Sequence, residues 1–235
     1  MASNSLPASA IVQDRLPDLL IGIGHTTNNA LHSITFTGTL RPWANFPRDV
    51  EAIYLNFVWN RRVVDHRQRL GRVAEWNIQF EQTAVGNETG VQGHWGQHNI
   101  DLEMGDFRAT TSRYKKVPDM AGASRVTGAL RLVGELKTPW VDNHCLSDAM
   151  HDESDFRHIL GGSGLRSICR TNNVIYELMS TYNETIFLTQ VADAAIGWKL
   201  QYSPVVQHSC VFYIGHLAEI AHRANNSSTN WVANL

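Results

Sequence analysis

Val117-Pro118-Asp119 and, after a turn-sized insertion, Ala129-Leu130-Arg131-Leu132-Val133-Gly134-Glu135-Leu136-Lys137-Thr138-Pro139-Trp140 form the part of the chain whose reading decides the fold. Successive side chains of an extended strand point to opposite faces, so Glu135 and Lys137 share one face and Leu136 takes the other. A carboxylate then stands beside an ammonium. If Asp119 opens the neighbouring strand of a hairpin, its carboxylate reaches the same patch and supplies the second of two hard oxygen ligands suited to Mg²⁺. Such a trio suits metal-assisted phosphodiester hydrolysis, with the metal activating water and Lys137 orienting that water or stabilising the developing anion. Each residue also has a plain structural role open to it. Asp119 after a proline can simply form a turn, and Lys137 can be a solvated strand end. Glu135 is harder to explain that way, because a carboxylate following Leu132-Val133-Gly134 is costly to bury without a partner.

Outward from this segment, the pattern predicts alternating helices and strands. Residues 49–69 place Val50, Ile53, Tyr54, Phe57, Val58 and Val64 on one helical face behind Pro47, a residue suited to a helix start. Residues 74–80 read as a strand and 86–99, rich in Gly, Gln and Asn, as a surface loop. After the Asp119/Glu135 hairpin a helical region ends near Leu160, broken by Gly161-Gly162-Ser163-Gly164, and a shorter helix covers 165–172. An apolar strand over 174–179, a turn at Asn183-Glu184, a strand over 185–191 and an alternating strand through Trp198, Leu200 and Tyr202 follow. Residues 211–224 close the pattern as an amphipathic helix. Leu19 to Ile23 and Ile34 to Thr37 lie outside this series, as added strands covering a sheet edge or as a partner surface. The expected organisation is an N-terminal extension over 1–45 and one α/β domain over 46–235.

Composition is that of an ordinary globule. The 235 residues are 43% hydrophobic and 18% charged, enough for one well-packed core. No apolar run approaches a membrane span, and residues 1–10 are polar and small rather than a signal sequence, so the expected location is intracellular, nuclear or cytoplasmic, with no membrane partner. Three cysteines, Cys145, Cys169 and Cys210, are too few and scattered for a disulfide framework. The net charge of −2 provides no general attraction to a polyanion. Local charge compensates: Arg113, Lys115 and Lys116 run directly into Pro118-Asp119 and would hold a phosphate backbone beside a metal site. The alternative for such a run is a solvated charged loop.

The combined order of motifs resembles the PD-(D/E)XK nuclease superfamily, with its restriction-endonuclease-like fold. Pro118-Asp119 is present literally, Gly134 to Trp140 is similar to the GE-x-K-x-PW form of nuclease-like domains in fungal proteins, and Ser180-Thr181-Tyr182-Asn183-Glu184-Thr185-Ile186-Phe187-Leu188 is similar to a hairpin of the same group. The likeness spans roughly residues 49 to 203. It implies a central mixed β-sheet flanked by helices and hydrolysis of DNA, with RNA as the alternative substrate. It further implies Mg²⁺ or Mn²⁺ held by Asp119, Glu135 and the Leu136 carbonyl, and Lys137 as the catalytic cation. A further acid is expected early on the first helix, where Glu51 is the best match and Glu75 and Glu81 are substitutes; the helix dipole alone also favours an acid there. The chain departs from the pattern in two places. The helix after the ExK strand lacks the usual Gln, which leaves water positioning or backbone contact to Arg166, Ser167 or Arg170, or to no residue, and Glu177 stands where Gly is usual.

Other chemistries are poorly served. His94 and His98 have chelating spacing but flanking glycines, and His144, Cys145, His151 and His158 lack a Cys pair at zinc-binding spacing. Gly22-Ile23-Gly24 lacks the rest of a dinucleotide fingerprint. The competing readings are a nuclease-fold module without catalysis, such as a fungal effector or an accessory interaction domain, and an oligomerisation domain forming a homodimer through residues 19–40.

Overall fold

A computed structural model of the chain describes residues 6–7, 19–27, 34–56, 62–63, 102–105, 118–124, 130–162, 174 and 176–207. An interior strand of its sheet, β6, spans Leu130–Leu136. Leu132, Val133 and Leu136 are all fully buried, as expected of a strand covered on both faces. Antiparallel β5 (Met120–Ser124) flanks β6 on one side, and β4 (Leu102–Gly105) lies beyond it, also antiparallel. On the other side β7 (Tyr176–Ser180) runs parallel to β6. Antiparallel β8 (Glu184–Asp193) and β9 (Gly197–Tyr202) continue the sheet. β2, Leu40–Pro42, parallel to β9, ends the sheet on this side as β4 does on the other, while β10, Val206–Gln207, pairs with the start of β8. The chain is therefore an α/β fold with a mixed open sheet, of eight strands among the described residues. A separate ladder joins β1 (Leu6–Pro7) to β3 (Arg62–Val63).

Helices cover both faces. α1, Phe46–Asn56, starts with Pro47 in its first turn and with the Trp43 indole donating to Asp49 Oδ2 at 3.0 Å; proline costs nothing there because that N–H has no helical partner. Phe46 stacks on Phe187 with centroids 5.4 Å apart, which seats α1 on the face carrying Leu132, Gly134 and Leu178. The helix expected over 49–69 is shorter and earlier than its periodicity suggests: Arg62 and Val63 are in β3, paired with residues 6–7, a long-range contact that local spacing does not register. A short 3-10 turn, Asp142–His144, leads into α2, Leu146–Ala149, and α3, Glu153–Gly162. Asp152 caps α3 by accepting the Ser154 and Asp155 amides at 2.7 and 3.1 Å, and Glu153 and Asp155 in the first turn complement the dipole.

The apolar core under α2 and α3 gathers Leu146, Phe156 and Ile159 against Met179, Ile186 and Leu188 of the sheet, and Phe36 belongs to the same cluster. Phe36 is bound in place from both directions: its amide donates to the Arg157 carbonyl at 2.8 Å, and Arg157 Nη1 donates to the carbonyls of Phe36 and Gly38. The backbone here lies so close to α3 that a Cβ on Gly161 would stand 2.0 Å from the Ile34 carbonyl oxygen. No described helix is long and apolar enough to cross a membrane. The expected elements at 74–80, 86–99, 165–172 and 211–224 lie outside the described residues.

Candidate active site

The antiparallel rung Met120↔Gly134 brings Asp119, one residue outward, level with Glu135. Buried Pro118 fixes the chain just before it. The half-buried Asp119 carboxylate accepts the Leu136 amide at 2.8 Å, so it lies at the peptide unit between Glu135 and Lys137. The strand alternation read from the sequence holds, and Lys137 Nζ donates to Glu135 Oε1 at 2.8 Å. Both residues are buried, 5% and 6% exposed. Two charges can be kept from water at this depth because each is the other's hydrogen-bonding partner.

Gly134 makes this placement feasible on the opposite face. A Cβ there would come within 2.6 Å of Met120 Cγ and 3.0 Å of Leu178 Cδ1, so only glycine lets β5 and β7 close around β6 without displacing side chains.

The exit of β6 is held by polar groups. The Lys137 amide donates to the Ser180 carbonyl at 2.8 Å. Thr138 is next, with its Oγ1 3.1 Å and its carbonyl oxygen 3.2 Å from His144 Nδ1; both residues are buried. Trp140 turns to the N-terminal segment: its indole donates to the Thr26 carbonyl at 2.7 Å, and the His25 ring meets it edge-on at 5.6 Å. Glu184 does more than form the expected turn. Its carboxylate accepts the Leu146 amide at 2.8 Å, the Ser147 amide at 3.2 Å and the Ser147 hydroxyl, capping α2 from across the fold. Burial pushes the Cys145 thiol up; the Asp148 backbone hydrogen bond, the next influence in size, works against it, and the Asp148 side chain and the Glu184 and Asp148 charges add to the rise. That disfavours the thiolate a nucleophile would need.

Glu177 also lies on this face of the sheet. It pairs with Val133 in the parallel register, is 5% exposed and lines a small cavity with Gln190, Trp198 and Leu200. Glu51 is exposed on α1, and among the described residues no hydrogen bond or ion pair joins it to Asp119, Glu135 or Lys137. Arg113, Lys115, Lys116, Arg166 and Arg170, together with Glu75 and Glu81, lie outside the described residues.

Among the described residues no three His, Cys, Asp or Glu side chains are gathered for a metal ion. The donor chemistry of Asp119, Glu135 and the Leu136 carbonyl nonetheless suits a hard cation such as Mg²⁺, which retains several waters and needs only one or two carboxylates. Sequence reasoning missed Ser180, Glu184 and His144 as supports of the site. The first two lie in the hairpin segment already singled out, but their bonds run to β6 and α2, which no local spacing reveals. Comparisons of the chain with protein-family models, curated proteins and solved structures found no match.

Proposed function

We propose that this chain is a metal-dependent nuclease that hydrolyses DNA phosphodiester bonds at a PD-(D/E)XK site on a restriction-endonuclease-like core. One observation carries the reading: Asp119, just ahead of β5, accepts the Leu136 amide, while Glu135 on β6 accepts the Lys137 ammonium, so all three groups flank the Leu136 peptide. The order of the sheet supports it, since an antiparallel β4–β5–β6 meander is followed by helices and a strand parallel to β6.

Within this reading Asp119, Glu135 and the Leu136 carbonyl hold Mg²⁺ or Mn²⁺, which supplies Lewis-acid polarisation of a phosphate oxygen. Lys137 stabilises the negative charge that builds on the phosphorus oxygens as water attacks and the leaving oxygen departs. Glu135 fixes the Lys137 ammonium beforehand, so little reorganisation is needed at the transition state. Arg113, Lys115, Lys116, Arg166 and Arg170 are the proposed contacts to the DNA backbone, and RNA is the alternative polymer.

A second reading, a nuclease-fold module that binds without cutting, is favoured by the depth at which Glu135 and Lys137 are buried against one another. Plasmid and single-stranded DNA cleavage with Mg²⁺ or Mn²⁺ separates the two. The nuclease reading expects metal-dependent cleavage that Glu135→Ala and Lys137→Ala each reduce by roughly a thousandfold or more. A folded native protein that cuts nothing sinks it and leaves the binding module.

A further inference from the structure

We infer that the buried hydroxyl pair Ser180–Thr185, acting through the turn between β7 and β8, positions Lys137 for its reaction; the kinetic part of this role rests on the nuclease reading above.

The turn is strained. Tyr182 has φ of 73°, a left-handed conformation that a bulky side chain adopts only when its surroundings impose it. Its ring is buried at 2% exposure. What imposes the conformation is Ser180: its Oγ accepts the Tyr182 amide at 3.0 Å and lies 2.8 Å from Thr185 Oγ1 and 3.2 Å from the Glu184 carbonyl oxygen. Thr181 closes the loop by donating its amide to the Glu184 carbonyl at 2.9 Å. Ser180 and Thr185 are both fully buried, so no water can replace either hydroxyl cheaply.

The same Ser180 carries the carbonyl that accepts the Lys137 amide. This is the final anchor of β6 on β7 before the chain turns into Thr138. The Lys137 Cα, and with it the reach of the ammonium toward Glu135, therefore depends on a rung whose far side is held by two hydroxyls. Strain of this kind next to charged groups is common where geometry must be held for chemistry. Ser180 touches no reacting atom in this account and is a positioning residue.

Thr185→Val is nearly isosteric and removes only the hydroxyl; Thr185→Ser retains it. Amide hydrogen exchange by NMR and plasmid cleavage with Mg²⁺ are measured on both. Thr185→Val is expected to raise exchange at Lys137 roughly tenfold, with Leu200, whose amide is bonded to Thr39, unchanged as the distant control. It is also expected to lower kcat roughly tenfold at constant KM. Thr185→Ser restores both quantities. The inference is overturned if folded Thr185→Val exchanges at Lys137 like the native chain, if Lys137 and Leu200 rise together, or if kcat is unchanged. Should Thr185→Val not fold, Ser180→Ala is read in the same way. A native chain that does not cleave removes the nuclease reading alone, while the exchange contrast still decides whether the hydroxyl pair holds Lys137.

Discussion

One face of the sheet changes character within a single rung. Met179 on β7 is in the apolar core under α2 and α3, whereas its register partner on β6 is the charged Glu135. Toward α3 the side chains are held by shape: those of Phe36, Phe156, Ile159 and Leu188 fill space and carry no polar atom to satisfy. Toward the β6 exit they are held by pairing, since Glu135, Lys137, Thr138 and His144 are nearly as buried but carry groups that need partners. Similar burial thus means two different sensitivities. The apolar region responds to changes in volume, and the polar region to the loss of one member of a pair.

That contrast can be tested in descending order of effect. Lys137→Met takes the ammonium from the Glu135 carboxylate while leaving that carboxylate buried, and is expected to cost about 3–5 kcal/mol in chemical denaturation; the double variant with Glu135→Leu should recover much of that loss, and an additive cycle would show that the two residues do not act as a pair. In the apolar region Phe36→Ala is expected to lose about 3–5 kcal/mol as well, but with no single second substitution that restores it. Gly161→Ala should cost about 1–3 kcal/mol, because its Cβ would meet the backbone at Ile34 rather than a movable side chain. Glu184→Ala removes the cap of α2 and should cost about 1 kcal/mol, with cleavage, where measured, falling less than in Lys137→Ala. The smallest effect is expected at Asp193. The Ala195 amide, then Lys199, hold its carboxyl below the usual carboxylate range. A depressed folded pKa means that the stabilisation is present at neutral pH and fades as pH falls through that lowered value. Asp193→Asn should therefore lower Tm slightly at pH 7 and flatten its acid dependence; a Tm profile identical to the native one would remove Asp193 from the account.

Much of the site was legible because its grouping is local. Asp119 and Glu135 sit on one hairpin, and Glu135 and Lys137 are two residues apart on one strand, so alternation alone brings them together. The strands around Tyr176, Ile186 and Leu200 were legible for the same reason, as short apolar or alternating runs between turn residues. What escaped depends on distance along the chain. Nothing near Glu184 signals that it caps a helix beginning at Leu146, and nothing near Ile34–Phe36 shows that Phe36 enters the core beneath α3. Arg62 and Val63 continue a helical periodicity but are claimed by pairing with Leu6–Pro7. Glu177 was visible as a departure from the motif the sequence resembles, yet its burial beside Gln190 and Trp198 follows only from the pairing of the strands.

The pairing of β2 with β9 has a consequence for synthesis. Leu40 leaves the ribosome 160 residues ahead of Leu200, its partner across the edge of the sheet. At ordinary elongation rates that interval is on the order of ten to thirty seconds. The nascent segment carrying Phe36 lacks the helix that later binds it until α3 has emerged, and β2 lacks its strand partner until β9 follows, so this stretch must be kept from associating with other chains in the meantime.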